Sequence, residues 1–185
     1  MILSGGTEYV YSGGGVSGVT VHAGAELVYA GGMVMTGNFQ SGGSAGIASG
    51  TVVTALTVAP GETLFVSSGG TANALTISAG GYAELLSGGA AGGVTFAGVS
   101  ATLLIASGGQ LTGVLTGFEA KDQLALGGIS YGAGTTYTYS GTTLSGTLTM
   151  TDGVHNASIQ FVGNYNATDF TDGAAAGGGT VIGYS

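Results

Sequence analysis

The sequence predicts an all-β protein, a parallel β-solenoid (β-helix) of about six coils of about 19 residues each, closed by a β-rich C-terminal cap. Two observations lead to this fold class. Ser-Gly-Gly or a close variant returns about every nineteen residues over the first 116 residues, and a short apolar strand follows each return. Beyond that point the repeat stops and the composition changes. We therefore divide the chain into Gly-rich solenoid repeats over 1–116 and a capping and anchoring region over 117–185.

The glycine content supports a solenoid and argues against two other classes. Glycine accounts for 41 of 185 residues, yet there is a single proline and no Gly-X-Y triplet, which excludes collagen. The chain is 44% hydrophobic and only 5% charged, the opposite of a disordered segment. Glycine here is expected to supply the positive φ angles of tight corners between strands. The six predicted coils cover 4–21, 22–39, 40–58, 59–77, 78–96 and 97–116.

The charge balance excludes several kinds of partner. Nine acidic residues face one base, Lys121, and the formal net charge is −8. Nucleic acid and anionic membrane surfaces are therefore not expected as partners, because phosphates need cations. There are no cysteines, and no apolar run is long enough for a membrane helix. No cleavable leader precedes the first repeat, so we expect export by another route or a chain cut from a longer one.

Each coil is predicted to contain two strands with different faces. In the second strand, alternate positions are aliphatic or aromatic and should be buried, while the position between them is mostly threonine and should face water. The predicted buried positions are Val19, Gly37, Leu56, Leu75, Val94 and Val114, together with Val21, Phe39, Val58, Ile77, Phe96 and Thr116. The predicted outward positions are Thr20, Asn38, Thr57, Thr76, Thr95 and Leu115.

The first strand of each coil is apolar on both sides. Its middle position is predicted to point inward, at Val10, Val28, Ile47, Phe65, Leu85 and Leu104. The flanking positions are also largely apolar, and a strand apolar on both sides is normally covered on both sides. We therefore expect a dry outer face that packs against the C-terminal region, another copy of the chain or another domain of a longer chain, and we prefer another copy. The predicted self-association residues are Tyr9, Tyr11, Leu27, Tyr29, Leu64, Val66, Leu86, Leu103 and Ile105.

The region after residue 116 reads as a mostly antiparallel cap. Strand-like runs occupy 123–126, 136–139, 143–151, 157–162 and 180–183. The Asp152-Gly153 step lies between two alternating runs and predicts a hairpin turn.

The repeat resembles a known family. The pattern of Ser-Gly-Gly, a short strand and Gly-Val-Thr-Val or a variant, at 12–21, 67–77 and 87–96, resembles the AIDA-type repeats of bacterial autotransporter adhesins. The stretches 115–126, 163–170 and 177–182 are similar to the module that often closes such arrays. The resemblance implies a secreted or cell-surface bacterial β-helix that acts in adhesion, autoaggregation or biofilm matrix.

The acidic residues suggest chemistry only weakly. Glu8, Glu26 and Glu62 lie at or near one repeat position, where a solvated strand start explains them, and no base is available to stabilise an oxyanion. His22 and His155 are interpreted as turn residues, so we expect no enzymatic activity. Calcium is the one cofactor considered, with candidate oxygen ligands from Asp152, Asn164, Asn166, Asp169 and Asp172. Asp and Asn in loops are usually turn formers, so we expect no bound cofactor.

Three functions follow, in order of preference. The first is an extracellular structural or adhesive protein that self-associates into fibres, lattices or cell–cell contacts through the apolar face, with open coils stacked end to end. The second is a surface adhesin module that binds carbohydrate or a cell surface. The third, an enzyme acting on polysaccharides, requires a catalytic pair that the sequence does not display.

Overall fold

The computed structural model describes residues 1–31 and 33–185, and only the backbone of residues 33–39. The solenoid strands are β1 (Thr7–Tyr11), β2 (Gly15–Val21), β3 (Glu26–Ala30), β4 (Met33–Phe39), β5 (Ser44–Ile47), β6 (Val52–Thr54), β7 (Thr57–Val58), β8 (Thr63–Val66), β9 (Thr71–Asn73), β10 (Leu75–Ser78), β11 (Tyr82–Leu85), β12 (Ala90–Ala91), β13 (Val94–Ala97), β14 (Thr102–Ile105), β15 (Gln110–Leu111) and β16 (Val114–Thr116). The strands that follow are β17 (Gln123–Leu126), β18 (Thr136–Gly141), β19 (Ser145–Thr151), β20 (Asn156–Val162), β21 (Phe170–Ala174) and β22 (Thr180–Tyr184). One short 3₁₀ helix spans Ala167–Asp169.

Parallel stacking of these strands confirms the β-solenoid. A nine-stranded sheet has the order β1-β3-β5-β8-β11-β14-β17-β22-β21, and a seven-stranded sheet has the order β18-β19-β20-β16-β13-β10-β7. Between them lies a four-stranded sheet, β15-β12-β9-β6. The later coils therefore have three strands rather than the two that we predicted. In the first two coils, the longer strands β2 and β4 form a separate two-stranded sheet.

The third strand was missed because its corner carries little sequence signal. Ala55 and Ala74 adopt φ angles of 57° and 53°, in the left-handed region that usually favours glycine. Glycine does not mark this corner in those coils, so the sequence reads as one uninterrupted segment.

The Ser-Gly-Gly repeat has a steric explanation at the opposite corner. Gly69 adopts a φ of +75°, and a Cβ at this residue would lie 2.7 Å from Oγ of Ser49 in the preceding coil. A Cβ on Gly70 would lie 2.7 Å from the backbone oxygen of Ile47. The amide of Gly69 donates to the carbonyl of Gly88 in the next coil over 2.8 Å. The repeat is thus a corner in which each coil approaches its neighbour too closely for a side chain.

The nine-stranded sheet corrects the predicted inward positions. Ile47 pairs with Tyr29 and Val66, so it does not share a register position with Val28 or Phe65. A shift of one residue turns a side chain to the other face of a sheet, and the coils are not all equally long. The inward rows are Leu27, Ala45, Leu64, Ala83, Leu103 and Leu124, and Tyr29, Ile47, Val66, Leu85, Ile105 and Leu126, all buried.

Of the predicted middle positions, Val10, Ile47 and Leu85 lie in the inward rows and are buried, as predicted. Val28, Phe65 and Leu104 were also predicted to point inward, and that prediction is wrong. Val28 is buried and the other two are half-buried, but all three lie between the inward residues of their strands, so they belong to the outer face.

The seven-stranded sheet confirms the threonine row with one correction. Val58, Ile77 and Phe96 are buried, whereas Thr57 and Thr95 are exposed. In the last coil Leu115, not Val114, lies opposite Val94. Leu115 is therefore buried and Val114 is exposed. The row continues through Thr116, whose hydroxyl donates to Oγ1 of Thr95 over 2.9 Å. The predicted positions Gly37, Asn38 and Phe39 lie outside the described side chains.

The C-terminal region continues the solenoid before closing it. β17 is still a parallel rung on β14, and β20 is a parallel rung on β16. Antiparallel strands then extend both sheets at their C-terminal edges. β22 pairs with β17 and β21 with β22, while β19 pairs with β20 and β18 with β19. All five predicted strand runs are confirmed, although β21 was not predicted. The division at residue 116 stays a prediction, since one core runs from Tyr29 to Ile182.

An aromatic cluster seals the last coil. Phe118 contacts Phe96, Phe161 and Phe170, with ring centroids 5.5–6.3 Å apart. The Tyr165 hydroxyl accepts from the Phe118 amide over 3.0 Å and donates to the Phe118 carbonyl over 3.1 Å. This exchange satisfies buried backbone groups where the repeat stops. Among the described residues, no helix is long and apolar enough to cross a membrane.

Candidate functional site

The predicted self-association residues do not form one surface. Leu27, Tyr29, Leu64, Val66, Leu103 and Ile105 are all buried in the solenoid core. Their prediction as an outer face is wrong, because the sheet register places these positions inward. Tyr9 and Tyr11 are 54% and 65% exposed, with ring centroids 6.0 Å apart, and Leu86 is half-buried. Whether the chain self-associates stays a prediction.

The outer face of the nine-stranded sheet is built from the alternate positions. One row is polar and runs through Glu26, Ser44, Thr63, Tyr82, Thr102 and Gln123. The neighbouring row is mostly apolar and runs through Val28, Gly46, Phe65, Glu84, Leu104, Ala125 and Val181. Hydroxyl and amide groups therefore lie beside an apolar strip along the solenoid axis.

A groove interrupts this face near its C-terminal end. Its volume is about 300 Å³, and it is lined by Tyr82, Thr102, Leu104, Gln123, Ala125, Val181 and residues 174–176. Residues 174–176 lie where β21 leads into its connection to β22. A second hollow of about 250 Å³ shares Gln123 and Val181, so the two are contiguous. The second hollow is also lined by Lys121, Asp122, Thr171, Asp172, Gly173, Gly183 and Tyr184.

The polar groups of the groove are mainly neutral. The Tyr82 hydroxyl donates to Oε2 of Glu84 over 3.2 Å. Burial raises the pKa of Tyr82 to about 12, with a further contribution from the Glu84 carboxylate, so the phenol stays protonated at neutral pH. Thr102 and Gln123 add a hydroxyl and an amide. This set can hydrogen-bond and pack against a ligand.

Glu62 contradicts the expectation of a solvated strand start. Its side chain is only 1% exposed, and Oε2 accepts from the amide of Ala59 over 2.7 Å. Oε1 has no hydrogen-bond partner. Burial raises the pKa of this carboxyl to about 7, and the Ala59 hydrogen bond opposes the shift. Asp122 plays a similar part at a later corner, where it accepts from the amides of Ala101 and Glu119.

The calcium candidates are separated by their local roles. Asp152 accepts from the amides of Ser130, Val154 and His155 and contacts His155 Nδ1 over 3.0 Å. These bonds, led by the His155 amide, hold the pKa of Asp152 well below its usual range. The predicted turn at Asp152-Gly153 is confirmed, and Gly153 has a φ of 88°.

The other candidates do not join Asp152. Asp169 accepts from the Asn166 amide over 2.7 Å at the 3₁₀ helix, and Asn164 and Asp172 are exposed. In the described part of the chain, no three His, Asp or Glu side chains converge as metal ligands. His22 is half-buried between β2 and β3, and its Nε2 has no hydrogen-bond partner.

Comparison with known proteins gives one informative result. Neither a protein-family model nor a curated protein matches the chain. A solved structure of TibC-catalysed, hyper-glycosylated TibA55-350 fragment matches with a TM-score of 0.57 and 31% identity over 65% of this chain. The chain spans 43% of that fragment. In sequence and in fold, this β-solenoid is therefore similar to part of an AIDA-type autotransporter adhesin, as the repeat pattern predicted.

Proposed function

We propose that this chain is a module of a bacterial surface adhesin, which binds carbohydrate or another cell-surface component through the outer face of the nine-stranded sheet. The groove beside Tyr82, Thr102 and Gln123 is the observation that carries the proposal, since it combines neutral hydrogen-bonding groups with an apolar floor. The similarity to TibA supports a place outside the cell, on the surface or secreted.

Binding by beads coated with the purified chain tests this function. The beads should adhere to cells, and periodate oxidation of the cell surface should reduce adhesion if the bound component is carbohydrate. Beads coated with the chain after heat unfolding are the control for nonspecific adhesion. Adhesion equal to that of the unfolded control would contradict the proposed function.

Self-association remains a second candidate with a changed mechanism. The exposed pair Tyr9 and Tyr11 on β1 favours it, because β1 is an edge strand of the nine-stranded sheet and stacked aromatic rings are common at protein contacts. Leu64 is fully buried, so Leu64→Glu would unfold the coil rather than block assembly. Tyr9→Ser with Tyr11→Ser is the appropriate variant. Sedimentation velocity should show concentration-dependent oligomers that this variant removes, and a monomer at all concentrations would exclude the mechanism.

A further inference from the structure

We propose that the groove lined by Tyr82, Thr102, Leu104, Gln123 and Val181 is a binding site for a neutral sugar residue of a surface oligosaccharide. The inference rests on the proposed adhesin function and locates its binding site. It goes beyond that function because it assigns residues, a ligand class and a charge preference.

The shape of the groove follows from small residues in the last rungs of the sheet. In β17, β22 and β21 the outer rows contain Ala125, which lines the groove, and Gly183 and Gly173, which line the adjoining hollow, where earlier strands carry Phe65, Tyr82 or Leu104. The outer face of the sheet is therefore recessed at this end. Residues 174–176 line its side and turn the depression into a groove. A volume of about 300 Å³ is at the lower end of the usual range for small-molecule sites.

The lining chemistry matches the two-sided character of a sugar ring. A pyranose has an apolar C–H face and a rim of hydroxyls that both donate and accept. Leu104, Ala125 and Val181 supply an apolar floor. The Thr102 hydroxyl and the Gln123 amide can each donate and accept, and Gln123 is exposed at the junction of both hollows. Tyr82 adds an aromatic ring, a frequent partner of amphipathic ligands.

The electrostatics favour a neutral ligand over an acidic one. The chain has a net charge of −8 and a single base, Lys121. Lys121 lines the second hollow together with Asp122 and Asp172, and Glu84 adjoins Tyr82 in the groove. A carboxylated or sulfated sugar would meet more negative than positive charge here.

Two substitutions test the site in the folded chain. Gln123→Ala removes an exposed amide, and Gly173→Val fills the adjoining hollow beside Val181, a residue that lines both hollows. A Cβ at Gly173 would lie 3.7 Å from the Val181 side chain, an ordinary contact, so the strand should accept valine. Gly132→Val is the matched control, because nothing lies within 4 Å of a Cβ there and the residue is outside the groove.

The probes are neutral hexose and N-acetylhexosamine oligosaccharides, with the same cores carrying sialic acid or sulfate. Wild type should bind at least one neutral probe on an array and in titration calorimetry. Gln123→Ala and Gly173→Val should each weaken that binding at least tenfold, while Gly132→Val should not. Circular dichroism must show that all four proteins are folded.

Three outcomes would overturn the proposal. The first is that the folded wild type binds no neutral probe or only acidic ones. The second is that neutral-probe binding survives both groove substitutions. The third is that Gly173→Val removes a dimer instead, which would assign the groove to a second copy of the chain. Cell adhesion that persists in any of these cases would leave the adhesin function intact and reject only the sugar site.

Discussion

Glu62 offers a sharp test of the packing, because a carboxyl group is buried there without full hydrogen bonding. Oε2 accepts from the Ala59 amide, while Oε1 has no partner. Burial raises the pKa from 4.5 to about 7. Substitution by glutamine keeps an acceptor for Ala59 and removes the charge, so it resembles the protonated native state.

The shift gives both the sign and the size of the effect. Below pH 4.5 the carboxyl group is protonated in both the folded and the unfolded chain, so its ionisation does not change the free energy of unfolding. Between pH 4.5 and about 7 the unfolded chain loses its proton first, so stability falls as pH rises through this window. A rise of the pKa from 4.5 to about 7 corresponds to a destabilisation of about 3 kcal/mol at most. Glu62→Gln should therefore stabilise the protein by up to about 3 kcal/mol at pH 8 and by little at pH 4.5.

Urea denaturation of wild type and variant at pH 4.5, 6 and 8 measures this difference. Glu8→Gln is the control, because it removes one charge on the edge strand β1 and leaves the Glu62 corner unchanged. Only Glu62→Gln should show a stability gain that grows with pH. A gain that is independent of pH, or a loss at pH 8, would refute the assignment of a buried, uncompensated carboxyl.

Three further predictions concern the corners and the cap. Gly70→Ala should lower the free energy of unfolding in urea by about 1–3 kcal/mol, because its Cβ would lie 2.7 Å from the Ile47 carbonyl oxygen. Gly132→Ala should leave the free energy of unfolding unchanged. Equal effects of the two substitutions would contradict the close stacking of coils. Tyr165→Phe should cost about 1–3 kcal/mol, since it leaves the buried Phe118 amide and carbonyl without their shared partner, and an unchanged unfolding midpoint would argue against that exchange. Asp152→Ala should speed amide hydrogen exchange at Val154 and His155, two of the three residues whose amides donate to its carboxylate. In wild type this stabilisation should be lost only in strong acid, as pH falls through the lowered pKa of Asp152, and unchanged exchange in the variant would disprove its role in the turn.

The repeat predicted the fold because glycine is required by contacts between coils. Gly69 and Gly70 are constrained by the coil before them, so their period reports the stacking directly. The third strand of each coil lacked such a signal, since Ala55 and Ala74 take left-handed angles without glycine. Local sequence does not identify an alanine in that conformation.

The inward and outward faces were harder to predict than the fold. Val66, Leu85 and Ile105 stack in the core, but coils of unequal length place Phe65 and Leu104 beside them in a simple alignment. Because neighbouring positions in these strands are both apolar, hydrophobicity could not show which of the two alternating sets of side chains points into the core. The same ambiguity led to buried residues being predicted as a contact surface.

The groove could not be predicted from the sequence for a different reason. It is formed by rows that cross β11, β14, β17 and β22, so its residues are distant in the chain. One side of it is lined by residues 174–176, at the end of β21, a strand that carries no clear apolar alternation. Only the closing antiparallel pairing brings Val181 next to Ala125 and Gly173 next to Val181.

Site-specific blocking tests the proposed role of the outer face most directly. The chain contains no cysteine, so Thr102→Cys on the groove and Val154→Cys on the exposed hairpin each give one site for a bulky maleimide polymer. Bead adhesion to cells should be lost when the polymer is attached at position 102 and retained when it is attached at position 154. Equal adhesion of the two labelled proteins would contradict the claim that this face makes the contact.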